Sequence, residues 1–266
     1  MKKLICLLLV AAMCMGLCGC DRGGFGIRIV QELAEQEYSI AFRTDDPTST
    51  YVIAALKALK ADGTVDSLAI KWFGDKLVKI DSDAKALGEV GVITTRTFII
   101  GVDPYAFPVA YAANGTYWGF DIELATVMCN MLGWTLQIQP IKSENVYIEL
   151  SSGNIDCAWG GIVLNEKELA EHKYEQYGPY LHNDIVVASR LSSNVRTKLM
   201  LGGKCLAMPT TEEAMTFLTS DEKLVKRLGQ ITRLAGGTIE CFEYLYAGKC
   251  DAVLTDSLAV HYYNCH

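Results

Sequence analysis

Hydrophobic positions in this chain follow two rhythms that alternate along its length. Ile27–Val30 and Tyr38–Phe42 are short apolar runs rich in β-branched and aromatic residues, and each predicts a strand. Val52, Ala55, Leu56 and Leu59 then fall on one helical face. Asp46 stands where an N-cap belongs, Pro47 takes the first helical position, and Asp62-Gly63 ends the helix. Thr64 is placed to cap a second helix carrying Leu68 and Trp72 one turn apart. Residues 74–96 carry no strong period. From Phe98 the alternation returns: a strand Phe98–Val102, a helix Gly119–Leu132 with Ile122, Ala125, Cys129 and Leu132 inward, and a strand Thr135–Ile141. A second set follows, with strands Lys204–Met208, Gln230–Leu234 and Asp251–Thr255 and helices Thr211–Leu218 and Ile239–Ala247. This βαβ rhythm predicts an α/β fold with a mostly parallel sheet. Ligands of such sheets sit beyond the carboxyl ends of strands, so the loops after Val102, Ala158, Met208 and Leu254 are expected to face one cleft.

The first twenty residues obey a different pattern. Lys2 and Lys3 precede an apolar run from Leu4 to Leu17, the layout of a signal peptide. Leu17-Cys18-Gly19-Cys20 resembles a bacterial lipobox, which makes Cys20 the expected site of lipid attachment and first residue of the mature chain. Plain secretion with cleavage nearby, or a retained signal anchor, are the alternatives. Asp21-Arg22-Gly23-Gly24 then reads as a short tether. No later stretch approaches about 18 apolar residues, so no spanning helix is expected in the body.

Half of the 266 residues are hydrophobic, which excludes a disordered tail protein, and the length suits two modest lobes. A formal charge of −7 argues against nucleic acid, or an anionic membrane surface, as the main partner. Six cysteines lie in the mature body, Cys129, Cys157, Cys205, Cys241, Cys250 and Cys265. An exported chain permits disulfides, but Cys157 and Cys205 fall inside apolar strand patterns and read as buried thiols. The four histidines show no ligand spacing with the cysteines, so no metal is expected.

Several longer motifs carry a resemblance. Residues 37–74, EYSIAFRTDDPTSTYVIAALKALKADGTVDSLAIKWFG, resemble the C-terminal segment of the amino-acid-binding proteins of bacterial ABC transporters, solute-binding protein family 3. The opening of that family resembles residues 97–125, TFIIGVDPYAFPVAYAANGTYWGFDIELA, and its SGxIDCIWNG segment resembles Gly153 to Gly161. The chain ends at DAVLTDSLAVHYYNCH, where the family would continue into its second crossover. The resemblance implies a two-lobed periplasmic-binding-protein fold of type II, circularly permuted. Lobe two would comprise residues 26–36 and 190–266, lobe one residues 37–189, and 74–96 would be the joint between the ancestral ends. Function would be capture of a small polar, amino-acid-like ligand by a lipid-anchored extracytoplasmic monomer, without cofactor, for an ABC permease.

Site residues follow from the same resemblance. Asp256 matches the family's ammonium-binding aspartate, although an aspartate there also caps the helix from Ser257. Thr210 and Thr211 fall in the turn whose amides bind the ligand carboxylate at a helix N-terminus, with Pro209 in place of glycine. Gly160 and Gly161 allow close approach to backbone, with the Gly161 carbonyl offered to the ammonium. Ile162 follows, and then Val163 and Glu168 replace the family's carboxylate-clamping threonine and arginine. A carboxylate cannot supply arginine's charge and forked donors, so a standard α-amino acid in the standard pose is not expected. Asp103 is retained in the first loop. Ala106 stands where an aromatic stacks on ligand, and Tyr105 or Phe107 is left to replace it, Phe107 being equally able to pack. Tyr117-Trp118 reads as a structural turn and Asp121 as a helix cap.

Two other function classes share these motifs. A cyclohexadienyl-dehydratase-like enzyme could use Glu168 as a general acid, but would need the missing carboxylate anchor. A ligand-sensing or degenerate surface receptor would accommodate the loss of threonine and arginine, whereas Asp103, Asp256 and the glycine pair favour retained binding.

Overall fold

The computed structural model describes residues 26–266. The expected signal peptide, the Cys20 lipid attachment and the tether lie outside the described residues.

Strands of 16 residues each, β1 (Ile27–Phe42) and β8 (Glu175–Arg190), pair antiparallel along their whole length, from Ile27↔Arg190 to Phe42↔Glu175. The two short strands expected at Ile27–Val30 and Tyr38–Phe42 are therefore one. Gln31 to Glu37 has too little apolar periodicity to announce a strand. Its backbone is nevertheless paired, with shifts of register at Ile29/Gln31, Glu32/Ala34 and Tyr38/Ile40 that bend the ribbon.

Each side of this ribbon carries its own sheet extension and core. On one side, lobe one, β2 (Thr97–Val102) runs parallel to β6 (Thr135–Pro140) and to β7 (Cys157–Ala158). β7 joins β1 antiparallel at Ala41↔Ala158 and Phe42↔Cys157. On the other, lobe two, β9 (Cys205–Pro209) lies parallel between β10 (Gln230–Leu234) and β11 (Ala252–Asp256), and β11 joins β8 antiparallel at Val253↔Ala188. The order is β10-β9-β11-β8-β1-β7-β2-β6. A separate three-stranded sheet is formed by β3 (Tyr105–Ala106), β4 (Ala110–Ala113) and β5 (Thr116–Trp118).

Helices cover these sheets with the faces that their apolar periodicity defines. In lobe one they are α1 (Thr48–Ala61), α2 (Thr64–Phe73), α3 (Ala86–Glu89), α4 (Phe120–Leu132), α5 (Val146–Ser151) and α6 (Glu166–Ala170). Lobe two has α7 (Glu212–Ser220), α8 (Glu222–Arg227), α9 (Gly237–Tyr246) and α10 (Ser257–Cys265). Val52, Ala55, Leu56 and Leu59 of α1 and Leu68 and Phe73 of α2 share a continuous core with Phe98, Ile100, Leu124, Met128 and Trp159. Residues 37–73 thus share a hydrophobic core with residues 98–159 although residues 74–96 separate the two in sequence. Asp46 caps α1, its Oδ1 accepting from the Thr48 amide at 2.9 Å. At α2 the cap is Asp62 rather than the expected Thr64, because Asp62 Oδ1 accepts from the Thr64 amide at 2.9 Å.

The segment 74–96 is a packed strap. Val78, Ile80 and Ala86 are buried in or against lobe one. The Lys79 amide donates to the Tyr180 carbonyl at 2.7 Å and the Asp83 amide to that of Lys57 at 3.1 Å. Across the molecule, Ile27 and Asn264 are bonded twice: the Ile27 amide donates to Asn264 Oδ1 at 2.8 Å, and Asn264 Nδ2 donates to the Ile27 carbonyl at 3.1 Å. The first described strand and the last helix therefore meet. Cys129, Cys157, Cys205, Cys241 and Cys250 carry free thiols. Burial pushes those of Cys129, Cys241 and Cys250 up to about 12, which leaves them protonated and unreactive.

This shared core has a measurable consequence. A chain beginning at Thr97 lacks β1, α1 and α2 and is expected to lose its cooperative thermal transition by circular dichroism. Leu56→Ala in the intact chain is expected to cost about 2–5 kcal/mol in denaturant titration. A cooperative melt of the truncated chain would place residues 37–73 outside the lobe-one core.

Candidate functional site

Three carboxyl groups from both lobes act on one another beside the β1–β8 ribbon. Asp103 follows β2, Asp256 ends β11, and Glu213 lies in the first turn of α7. Asp256 is raised to about 7, by burial first and then by the charges of Glu213 and Asp103, against a lowering hydrogen bond from Asn183. Asp103 is pushed up to about 6 by burial and, secondarily, by Glu213, while the Tyr105 amide opposes the shift. Burial also raises Glu213, although the residue as a whole is exposed, because its carboxyl lies against the buried Gln36. Tyr38, almost fully buried on β1, is raised by desolvation and then by Asp256, Asp103 and Glu213, so its hydroxyl lies within the same field.

Neutral side chains on the ribbon hold the acids in place. Asn183 Nδ2 donates to Asp256 Oδ1 at 2.7 Å and to Gln36 Oε1 at 3.0 Å; Gln36 Nε2 in turn donates to Glu213 Oε1 at 3.2 Å. Asn183 Oδ1 accepts from Ser257 Oγ at 3.3 Å and from the Leu258 amide at 3.4 Å. Asp256 is thus fixed through Asn183, and its side chain does not cap α10. Asp103 Oδ1 accepts from the Tyr105 amide at 2.9 Å. These three acids do not form a group arranged to hold a metal ion, and no such group occurs among the described residues.

The glycine pair forms a tight turn after β7. The Gly160 carbonyl accepts from the Asp103 amide at 2.9 Å, tying this turn to the first loop. Gly161 has φ 67°, and a Cβ there would collide with the Cβ of Ala106, so the two small residues require one another. Asp121 proves to be part of this turn rather than a helix cap. It is fully buried, and its Oδ2 accepts from Tyr180 Oη at 2.5 Å and from the Gly161 amide at 3.3 Å. Burial raises it to about 7, and these two bonds oppose the rise. A cap would be wet; this carboxyl sits beneath the turn and links it to β8.

The remaining predicted residues are more dispersed. Tyr105 is 70% exposed, whereas Phe107 is buried, with its ring 4.9 Å from those of Tyr111 and Tyr262 and 5.8 Å from that of Tyr263. Phe107 therefore packs, joining the first loop to the aromatic core of lobe two. Ile162 is fully buried with Ala41, Ile155 and Tyr174, its side chain in the lobe-one core. Val163 packs on that lobe and forms a bridge with Tyr38. Glu168 lies 3.9 Å from Lys173 and raises Tyr174 after burial, so its partners are on its own lobe and not the three acids. The Thr210 amide is committed to the Leu234 carbonyl at 3.1 Å, because β9 and β10 continue pairing to their ends. Thr211 Oγ1 accepts from the Ala214 amide at 3.2 Å as the cap of α7.

Sequence reading missed Glu213, Tyr38, Gln36 and Asn183 as members of this assembly. Their signal was weak: Gln36 and Asn183 stood in the segments expected to cross between lobes, and Glu213 followed the Thr-Thr turn.

Comparison with known proteins bears on this arrangement. The model of the bacterial extracellular solute-binding proteins, family 3, matches residues 98–235, more than half of the chain. The chain belongs to this family. Its members are extracellular solute-binding proteins. A probable amino-acid ABC transporter-binding protein of Haemophilus influenzae is 22% identical over 180 residues, covering 65% of this chain and 65% of that protein. The L-cystine-binding protein TcyJ of Escherichia coli is 22% identical over 209 residues, covering 77% of this chain and 72% of its own. Among solved structures, an ancestral cationic amino acid solute-binding protein aligns with a TM-score of 0.50 at 21% identity, covering 63% of this chain and 72% of that one, a likeness of fold. Among the described residues no helix is long and apolar enough to cross a membrane.

The raised carboxyls fix the sign of a pH effect. Asp103, Asp121 and Asp256 bind protons more tightly folded than unfolded. Their stabilising contribution is complete below the ordinary carboxylate range and is lost as pH rises through about 6 and about 7. Asp46, Asp66 and Asp221 are lowered, so their stabilising contribution is present throughout that range and is lost only at more acid pH. The melting temperature of the unliganded protein is expected to fall between about pH 5 and about pH 8, with a shallower slope in Asp256→Asn. Calorimetric melts across that range check this, and a flat profile would mean that these carboxyls ionise freely.

Proposed function

We propose that this protein captures a small polar, amino-acid-like solute between its two lobes, outside the cytoplasm, and delivers it to an ABC permease. The observation that carries this reading is that Asp103 of lobe one and Asp256 of lobe two, both at carboxyl ends of strands, share one electrostatic field. Asp256 receives the ligand's ammonium, steadied by Asn183, and the Gly161 carbonyl is a second acceptor. Tyr105 supplies the exposed aromatic face. The matched amino-acid-binding relatives support the ligand class. Lobe one then comprises residues 37–189, with 74–96 as joint, and lobe two residues 26–36 and 190–266.

Two finer proposals belong to this reading. The mature chain is a monomer held at the outer face of the membrane by lipid on Cys20. The chain is also a circular permutant of the family, its ancestral ends joined through 74–96 and new ends opened between His266 and Gly26. The paired bonds of Ile27 with Asn264 support this, since only a short connection is needed there.

Asp256→Asn is expected to weaken binding by about 1.5–3 kcal/mol in calorimetric titration against an amino-acid and amine panel, with the melt retained. Undiminished affinity would return Asp256 to a structural role. Rejoining His266 to Gly26 and opening the chain between Gly91 and Val92 is expected to preserve both the fold and the affinity. Failure of that chain to fold would remove the permutation.

A further inference from the structure

Lobe two carries acids at one end of its strands and cations at the other. Register aligns the strand ends: Ile27 of β1 stands beside Arg190 of β8, Ala252 of β11 beside Leu206 of β9, and Cys205 of β9 beside Gln230 of β10. These positions form one edge of the sheet, and Asp256 lies at the opposite edge beside Ile185. The connection from β8 to β9 crosses the first edge. Between Asp184 and Glu212 the chain has Arg190, Arg196, Lys198 and Lys204 and no acid. Arg28 joins them from the start of β1, Lys249 from the turn before β11, and Arg227 from the end of α8, where its carbonyl accepts from the Gly203 amide at 2.8 Å. The acids nearby are engaged: Asp251 lies 3.4 Å from Lys204, Glu222 lies 2.9 Å from Lys226, and Asp221 caps α8 by accepting from the Leu224 amide at 2.9 Å. Arg28, Arg190, Arg196, Lys198, Arg227 and Lys249 form no ion pair with a described residue. The net charge of −7 therefore describes the chain and not this end.

The same connection exposes apolar side chains. Leu199 is 71% exposed, and Met200 and Leu191 are each 48% exposed. They stand on a backbone that is held in place. Val195, and Leu201 at the end of the short 3-10 turn Lys198–Leu201, are buried in the lobe-two core and fasten the segment from within. From outside, Arg227 donates to the carbonyls of Lys198 and Leu199, and Arg28 to that of Leu191. Arg196, Lys198, Leu199 and Met200 are thus presented together to solvent. Large apolar side chains among unpaired cations match the boundary between anionic headgroups and acyl chains. The chain also enters here, because the Leu191 amide donates to the Gly26 carbonyl at 2.6 Å. From Gly26 back to Cys20 an extended chain reaches about 20 Å at most.

We propose that this end of lobe two is a second membrane contact, seated on anionic phospholipid, with Leu199 and Met200 entering the headgroup boundary and Arg196 and Lys198 meeting lipid phosphates. Two observations select this occupant. The unpaired cations call for a surface of negative charge, and the short reach from Gly26 to Cys20 brings this end, rather than lobe one, to the bilayer. The second of these rests on the reading of Cys20 as lipid-anchored. In this pose the carboxyl ends of β9 and β11, and Asp256 with them, are turned away from the membrane.

A lipid anchor would mask the contact, so the test uses the mature chain from Asp21 without lipid, which keeps every described residue. Cosedimentation is measured with vesicles of phosphatidylglycerol and phosphatidylcholine in equal parts, and with vesicles of phosphatidylcholine alone. Binding to the anionic vesicles is expected to be at least about tenfold stronger and to fall as salt is raised. Arg196→Glu combined with Lys198→Glu is expected to weaken it about twentyfold or more, at about fivefold for each cation lost. Leu199→Ser combined with Met200→Ser is expected to weaken it about fivefold. Lys142→Glu, on lobe one, is expected to leave it within about twofold. All of these side chains are exposed, so the melting temperature of each variant is expected to stay that of the parent. Equal binding to both vesicles, binding to neither, or the same loss in Lys142→Glu would overturn the inference. So would binding to native membranes that protease treatment of those membranes abolishes, which would assign this end to a protein partner. Lipid on Cys20 is read separately, by mass spectrometry of the chain from its own cells. Its absence would overturn the anchor reading, whereas failure on anionic vesicles overturns this inference alone.

Discussion

The antiparallel pairing of β1 with β8 is the constraint on which the rest of this molecule depends. One ladder, bent by three shifts of register, runs from Ile27↔Arg190 to Phe42↔Glu175, and each lobe adds its sheet to one edge of the ribbon. The pairing also delivers Gln36, Tyr38 and Asn183 to the middle of the structure, where the lobes are nearest. Because these side chains hold Asp256 and Glu213, the geometry of the acids is a property of the ribbon's register. A slip of one residue would turn Tyr38 and Asn183 to opposite faces and dismantle the assembly.

The site is expensive to maintain, and its surroundings explain how it persists. Burying carboxyls next to one another raises their proton affinity, and the fold counters this with neutral donors rather than with ion pairs. Asn183 makes five bonds in this network, to Asp256, Gln36, Tyr38, Ser257 and Leu258, and is itself fully buried. Beneath the glycine turn, Asp121 joins Tyr180 of the ribbon to the Gly161 amide, a second link between ribbon and site. Preorganisation of this kind keeps acceptors oriented without neutralising them.

Much of the architecture was legible because its elements are amphipathic and locally consistent. The faces of α1 and α4 and the strands of the βαβ units follow from apolar spacing and turn residues, and the order of motifs from the resemblance to the family. The middle of β1 was not legible, because Gln31 to Glu37 is polar and its strand conformation comes from β8, which lies far away in sequence. Asp121 was misjudged and Phe107 left open for a related reason: a carboxylate near a helix start and an aromatic in a loop look local, while their partners, Tyr180 and Tyr262, are distant. Glu213 escaped because a Thr-Thr-Glu-Glu cap is common, and only the position of Gln36 marks its carboxyl as turned inward.

The two hydrogen bonds between Ile27 and Asn264 also close the described chain into a circuit. The chain leaves lobe two along β1, builds the whole of lobe one, and returns along β8 to a place beside its departure. The chain between the two long strands is a loop drawn closed by the ribbon, and the Trp72 ring of α2, 5.9 Å from that of Tyr262 on α10, is a second clasp that fastens this loop to the helix that follows Asp256.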